Sequence, residues 1–176
     1  ATIAPEFIGI ADLFTRISDV QPISNLPLLF EFYDCYVKTC KDTPDSFEEF
    51  LSWGQTALKD FSEIDQYLVN PDKIFPYIHA LKEVEHWSGM DELSEMQKKH
   101  LAFWNSLGDY YFALSSKLTK MGKGYGGFIA KKAVEELPKY LQTHSNSIHI
   151  FVGFNALSKA EQHVIQSILM DIGGEI

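Results

Sequence analysis

The feature that most constrains this fold is the helical spacing of apolar residues along most of the chain. Residues 26–37, 46–69, 92–121 and 128–141 each carry apolar side chains at the intervals of one helix face. The positions in the first stretch are Leu28, Leu29, Phe32, Tyr33, Tyr36 and Val37. Helices of this kind bury one face against each other, so we predict a mainly α-helical fold.

Capping residues set the expected ends of these helices. Asp45 or Ser46 precedes acidic residues that suit a first helical turn, and Gly122 follows the longest helical stretch. Near the end of the chain, Ser158 is followed by Glu161 three residues later, which is the pattern of a capping box. These signals predict helices that begin near residues 46 and 159 and a helix that ends at residue 121.

One short segment breaks the helical pattern. Ile148, Ile150, Phe151 and Val152 form an apolar run rich in β-branched residues, which predicts a buried strand. A buried strand cannot satisfy its own backbone. We therefore expect it to pair with the segment Phe7–Ile10 or with strands outside this chain.

Composition narrows the function classes. The chain has 176 residues, of which 45% are hydrophobic, and its formal net charge is −9. This charge repels nucleic acid at long range but leaves room for one basic strip. Cys35 and Cys40 are expected to be free thiols, which suits a reducing compartment. Since no apolar run reaches about 18 residues, we expect a cytoplasmic protein without a membrane partner.

The glycine-rich segment Gly122–Gly127 is the nearest approach to a phosphate-binding loop. It contains Lys123 but lacks the Gly-Lys-Ser/Thr sequence, and no strand is predicted before it. We expect a flexible connection between helices there.

Metal-binding patterns are equally incomplete. Glu83 and His86 form a single Glu-x-x-His pair where di-iron bundles need two, and Asp60, Glu63 and Asp65 lack the spacing of a calcium loop. We expect both groups to lie on solvated helix faces. No catalytic residue, metal ligand or cofactor is predicted.

The basic residues cluster in one part of the sequence. Lysines interleaved with Tyr125 and Phe128 are a pattern that can follow a single strand of nucleic acid. The lysines are Lys117, Lys120, Lys123, Lys131, Lys132 and Lys139. The alternative is ordinary surface charge, partly neutralised by Glu135 and Glu136.

The segment from Ile148 to Gln162 resembles the Walker B region of superfamily 1 helicases, in which a strand ends in Asp-Glu before a short turn and a helix. Val152 stands at the place of the Asp and Gly153 at the place of the Glu, while Phe154 keeps the aromatic residue. Glu161 falls where a later Gln or Glu is found. This degraded form is similar to the AddB type of helicase–nuclease subunit.

Three further blocks carry the same resemblance, at residues 29–33, 46–54 and 59–69, and the apolar skeleton of residues 9–14 also matches. The resemblance implies an inactivated superfamily 1 helicase that accompanies a PD-(D/E)XK nuclease in DNA repair and recombination, of which this chain would be a fragment. The P-loop would lie upstream and the nuclease downstream. The chain itself would have no ATPase site, although its parent protein could be a helicase–nuclease.

The same resemblance implies an organisation in three parts. Residues 1–20 would flank the helicase core, residues 21–145 would form a helical subdomain like subdomain 1B, and residues 146–176 would carry the degraded Walker B strand and helix. One or two short strands would belong to an α/β core. The implied role is structural, with guidance of single-stranded DNA and an AddA-type subunit as partner. The candidate DNA contacts are Lys117, Lys120, Lys123, Tyr125, Lys131 and Lys132.

Two alternatives remain open at this point. The chain could be a helical protein–protein interaction domain without a nucleic-acid role, which its acidic balance and aromatic residues favour. It could also be an enzyme whose site has no recognisable spacing. Parallel pairing of residues 148–152 with residues 7–10 would favour the helicase core, whereas a free-standing helical bundle predicts no such pairing.

Overall fold

The computed structural model describes the backbone of residues 5–86 and 95–175 and the side chains of residues 5–81 and 102–175. The fold is mainly α-helical, as predicted, with a few very short strands. The helices are α1 (Ile10–Ser18), α2 (Asn25–Thr39), α3 (Phe47–Gln66), α4 (Pro71–His86), α5 (Glu95–Met121), α6 (Gly126–Thr143) and α7 (Lys159–Asp171). The strands are β1 (Gln21–Pro22), β2 (Lys123–Gly124), β3 (His149–Ile150) and β4 (Gly174–Glu175).

The predicted helix ends are confirmed where the structure describes them. The amide of Ser46 donates to the Glu49 carboxylate at 2.9 Å and the Glu49 amide donates back to the Ser46 hydroxyl at 3.3 Å, which closes a capping box before α3. Gly122 follows α5 with a φ of 62°, a left-handed conformation that glycine adopts at little cost. The predicted start of α5 at residue 92 lies outside the described residues.

The chain divides into two compact units. The strand-bearing unit consists of Ala1–Ile23, Asp65–Leu68 and Gly122–Ile176, and the helical unit consists of Ser24–Ile64 and Val69–Met121. The strand-bearing unit therefore includes both outer segments of the expected organisation. It also includes residues 122–145, which the sequence analysis placed in the helical subdomain.

Aromatic side chains form the core of the helical unit. Phe32 of α2 contacts Phe50 and Phe61 of α3 with ring centroids 5.1 and 5.6 Å apart, and Phe61 contacts Tyr111 of α5 at 5.2 Å. All four rings are almost completely buried. Edge-to-face packing of this kind adds to the free energy of burial. Val37, predicted on the buried face of α2, is instead 41% exposed.

The strand-bearing unit is built around α6, which packs against α1 and α7. Its buried side chains include Leu13, Phe14, Ile17, Phe128, Ile129, Leu137, Val164 and Ile168. Strand β1 pairs in parallel with β2, and β3 pairs in parallel with β4. Because α7 lies between β3 and β4 in the chain, these three elements form a β–α–β unit.

The prediction of a buried strand at residues 148–152 is wrong in its burial. Ile148, Ile150 and Val152 are 84%, 64% and 81% exposed, and of the five residues only Phe151 is buried. The predicted pairing with residues 7–10 is not found either, because β3 pairs with β4 and Phe7 is 91% exposed. Side chains alternate along a strand, so the odd-numbered positions face inward and the β-branched ones outward.

No helix in the part of the chain that the structure describes is long and apolar enough to cross a bilayer.

Candidate functional site

A strand, a loop and a capped helix form the segment from Ile148 to Gln162, for which the sequence predicts a degraded Walker B region. After β3, the Phe151 amide donates to the Glu175 carbonyl at 2.9 Å, which continues the pairing with β4. Gly153 follows in a left-handed conformation with a φ of 84°. Val152 lies on the surface and Phe154 is about one-third exposed, with its ring 6.3 Å from that of Phe151.

Glu161 has a structural partner in this segment. Its carboxylate accepts a hydrogen bond from the Ser158 amide at 2.7 Å, and its own amide donates to the Ser158 hydroxyl at 3.3 Å. The predicted capping box is thus confirmed. The same side chain was the candidate for the later Gln or Glu of a helicase motif, and here it accepts the hydrogen bond of the Ser158 amide at the start of α7.

The described part of the chain offers no metal-binding group at this loop. Positions 152 and 153 carry no acid, and among the described residues no group of three histidine, cysteine or acidic side chains lies close enough to hold a metal ion. The side chains of Glu83 and His86, the single Glu-x-x-His pair, lie outside the described ones.

Lys117, a candidate DNA contact, is held by two carboxylates of the helical unit. Its ammonium group forms ion pairs with Glu31 and with Asp34, the latter at 2.6 Å. Burial lowers the pKa of Lys117, but these hydrogen bonds outweigh it and raise the pKa to about 12. Hydrogen bonds from Lys117 and Lys38 lower the pKa of Asp34. Lys117 therefore stays protonated, but the two carboxylates offset its positive charge and make it less able to attract a phosphate.

Tyr125 and Lys131 lie in the strand-bearing unit and contact the same acid. The Tyr125 hydroxyl donates to Asp65 Oδ2 at 2.6 Å, and Lys131 Nζ lies 3.2 Å from Asp65 Oδ1. Tyr125 is 7% exposed. A ring so deeply buried cannot stack on a nucleotide base, so its predicted DNA contact is not available in this conformation.

The remaining lysines differ in exposure. Lys120 and Lys123 are exposed, and no described residue forms an ion pair with either. Lys132 pairs with Glu135 at 2.6 Å and lies 5.8 Å from the centre of the buried Phe128 ring. Lys139 is also exposed. Lys120 belongs to the helical unit and Lys123 to the strand-bearing unit, so the sequence cluster is divided between the two.

Asp65 is the residue whose importance the sequence reasoning missed. We expected a solvated helix face at Asp60, Glu63 and Asp65, but Asp65 is 1% exposed whereas Asp60 and Glu63 are exposed. The spacing of Asp65 predicts that it is buried, because it follows the buried residues Leu58 and Phe61 at the i, i+3, i+7 intervals of one helix face. An acid at such a position indicates a buried charge with partners.

The glycine-rich segment beside Tyr125 also corrects an expectation. It was predicted to be a flexible connection without a preceding strand, yet β2 lies within it and pairs with β1. The Gln21 amide donates to the Gly122 carbonyl at 2.9 Å and the Ile23 amide to the Gly124 carbonyl at 3.0 Å. These bonds fix the backbone on the N-terminal side of Tyr125.

A second polar cluster joins α6 to β3. The Tyr140 hydroxyl lies 2.9 Å from His149 Nε2, and the Tyr140 ring stacks on His144 with centroids 3.9 Å apart. Burial, with a smaller effect from His144, lowers the pKa of His149. His149 Nδ1 is buried and has no hydrogen-bond partner among the described residues. The neutral imidazole is therefore the form that suits this site.

Comparisons with protein-family models, with curated proteins and with solved structures found no match to this chain.

Proposed function

We propose that this chain is the helical subdomain, with flanking core segments, of an inactivated superfamily 1 helicase that serves a structural role in a DNA-repair helicase–nuclease. The observation that carries the proposal is the segment from β3 to β4. A short strand, a loop and a capped helix follow one another there, an order that supports the resemblance to a Walker B region in which Val152 and Gly153 replace the two acids. Without those acids the segment would neither hold Mg²⁺ nor activate water.

The parallel strands give the proposal a second support. Sheets made of parallel strands normally have both faces covered and occur in α/β proteins. Here β3 and β4 leave Ile148, Ile150 and Val152 exposed. A two-stranded parallel sheet with such a surface supports a segment of a larger α/β core, whereas the missing pairing of residues 148–152 with residues 7–10 favours a free-standing helical domain.

The division into units is the third support. The helical unit occupies the chain between β1 and β2, apart from the segment Asp65–Leu68, and so is an insertion into the strand-bearing unit. The resemblance implies a helical subdomain inserted into a helicase core. By this proposal the protein is cytoplasmic and works with an AddA-type subunit, and single-stranded DNA is guided along its surface.

The exposed lysines give this proposal its test. We expect Lys120→Glu and Lys123→Glu to weaken the binding of a labelled single strand in fluorescence anisotropy at low salt. Each lost phosphate contact should reduce the magnitude of the slope of log K against log salt concentration by about 0.7, where K is the binding constant for the single strand. Lys73→Glu in α4, an equally exposed lysine outside the basic region, is the matched control. Equal binding by all three variants and the wild-type chain would remove the role in DNA guidance.

A protein-docking role has one observation in its favour. On α2, Leu26, Phe30 and Val37 are 61%, 52% and 41% exposed, and the Phe30 ring stacks on Phe47 with centroids 5.0 Å apart. Exposed apolar patches mark interaction surfaces. If the chain binds no single-stranded DNA at any salt concentration, and Phe30→Glu abolishes co-purification with the partner subunit, docking becomes the better description.

A further inference from the structure

The buried acid of the strand-bearing unit has no role in the proposed function. The Asp65 side chain is completely inaccessible to solvent, and it lies against the Tyr125 hydroxyl and the Lys131 ammonium group. A buried carboxylate is costly unless it is paired and hydrogen-bonded. Asp65, Tyr125 and Lys131 therefore form a specific buried polar cluster in the strand-bearing unit.

The two residues that hold the carboxylate have a fixed backbone. Tyr125 lies between β2, which is paired with β1, and the first turn of α6. Lys131 lies within α6, whose neighbouring residues Ile129, Ala130 and Ala133 are buried. A hydroxyl donor and an ammonium group are thus presented from a rigid part of the unit. Together they are the groups that recognise a small oxyanion.

The segment that supplies the acid is short and continues from α3. Asp65–Leu68 is a four-residue part of the strand-bearing unit, preceded and followed in the chain by residues of the helical unit. It contains the end of α3 and Leu68, whose φ of 53° is unfavourable for a leucine. Tyr67 within it is 55% exposed. The Asp65 carboxylate is its most deeply buried group.

We propose that Tyr125 and Lys131 form an anion site in the strand-bearing unit, and that the Asp65 carboxylate is the ligand built into it. Asp65–Leu68 is then a strap that the Asp65 side chain latches onto α6. When the carboxylate is removed, the strap is released and the vacated site accepts a small carboxylate from solution. This inference rests on the Asp65 contacts alone and is independent of any role in a helicase.

Amide hydrogen exchange of the whole chain tests the latch. In Asp65→Ala, we expect the amides of residues 65–68 and 124–131 to exchange about tenfold faster. The lost contact stabilises the closed state of these residues, so without it they open locally more often. Glu63→Ala, which removes an exposed acid from the same helix, is the matched control and should leave those rates unchanged. Unchanged exchange in Asp65→Ala would overturn the latch.

Chemical rescue tests the anion site. Formate should slow the exchange of those amides in Asp65→Ala by about threefold or more relative to chloride at equal ionic strength, since it restores the missing carboxylate to its two donors. The wild-type chain and the double variant Asp65→Ala, Lys131→Met should not respond. Equal effects of formate and chloride on Asp65→Ala would overturn the site.

A second variant covers the case in which Asp65→Ala does not fold. Asp65→Asn keeps the size of the side chain and removes its charge. Faster exchange confined to residues 65–68 and 124–131 would support the latch. Acceleration spread evenly over the chain would contradict it, because a general loss of stability has no local signature.

Discussion

The Tyr125 hydroxyl donates a 2.6 Å hydrogen bond to the carboxylate of Asp65, a residue sixty positions earlier in the chain. The bond joins the start of α6 to the end of α3. Both residues lie in blocks that the sequence analysis had treated separately, one as a glycine-rich connection and the other as a solvated acidic face. The hydrogen bond therefore joins the glycine-rich connection to the acidic end of α3.

Tyr125→Phe tests the strength of this bond. Removing the hydroxyl leaves a buried carboxylate without one of its donors, so we expect the free energy of unfolding to fall by about 1–3 kcal/mol. Urea denaturation measures the change. Tyr77→Phe is the matched control, because Tyr77 is 60% exposed and its hydroxyl can bond to water. Equal stability of the two variants would show that the bond contributes little.

Gly124→Ala at the end of β2 and Gly126→Ala at the start of α6 are a matched pair on either side of Tyr125. A methyl group at Gly124 would overlap the buried Phe128 ring, whereas a methyl group at Gly126 meets nothing within 4 Å. We expect the first change to destabilise the chain by about 1–3 kcal/mol through overpacking. The second should be neutral or slightly stabilising, since alanine restricts the unfolded chain. Thermal unfolding that ranks the variants in the opposite order would contradict the packing at β2.

His149 predicts a pH dependence. Because the folded state lowers the pKa of His149, the unfolded chain binds the proton first as the pH falls below the ordinary value of 6.5. The free energy of unfolding should therefore decrease as the pH falls from 6.5 through the lower pKa of the folded state. His149→Gln should flatten this part of a urea-midpoint profile. His163→Gln, at an exposed position, should leave the slope unchanged; a slope that His149→Gln does not alter would exclude this origin.

Two variants of the α7 capping box test whether Glu161 matters as a helix cap or through its charge. Ser158→Ala removes the hydroxyl that accepts from the Glu161 amide and should cost about 1 kcal/mol of stability. Glu161→Gln keeps an acceptor for the Ser158 amide, so its stability should stay within about 0.5 kcal/mol of the wild-type value. Chemical denaturation of both variants measures this difference. A larger loss in Glu161→Gln than in Ser158→Ala would mean that the charge of Glu161 matters more than the cap.

The helices and their ends were predictable because their causes are local. The capping residues Ser46 and Ser158 bond to amides three residues away, and Gly122 reverses the chain by its own φ. The strand near residue 150 was placed correctly, but its partner and its burial were not. Both depend on β4, whose glycine-rich sequence at the end of α7 carries no strand signal.

The candidate site was only partly predictable for the same reason. The absence of acids at Val152 and Gly153 is a property of the sequence, and so is the clustering of lysines between residues 117 and 139. Whether a lysine keeps its charge available depends on distant residues, as Lys117 with Asp34 shows. Exposure divides the candidates further, since Tyr125 is buried while Lys120 and Lys123 are not.

The sequence by itself determined the mainly helical fold, the capped helix starts and the absence of acids at Val152 and Gly153. These follow from spacing, capping and residue identity, which act within a few positions of the chain. Only the tertiary structure decided that Asp65 is buried against Tyr125 and Lys131, and that β1 pairs with β2 and β3 with β4. Such contacts join residues far apart in the chain, and their free energy comes from burial and pairing that no local pattern records.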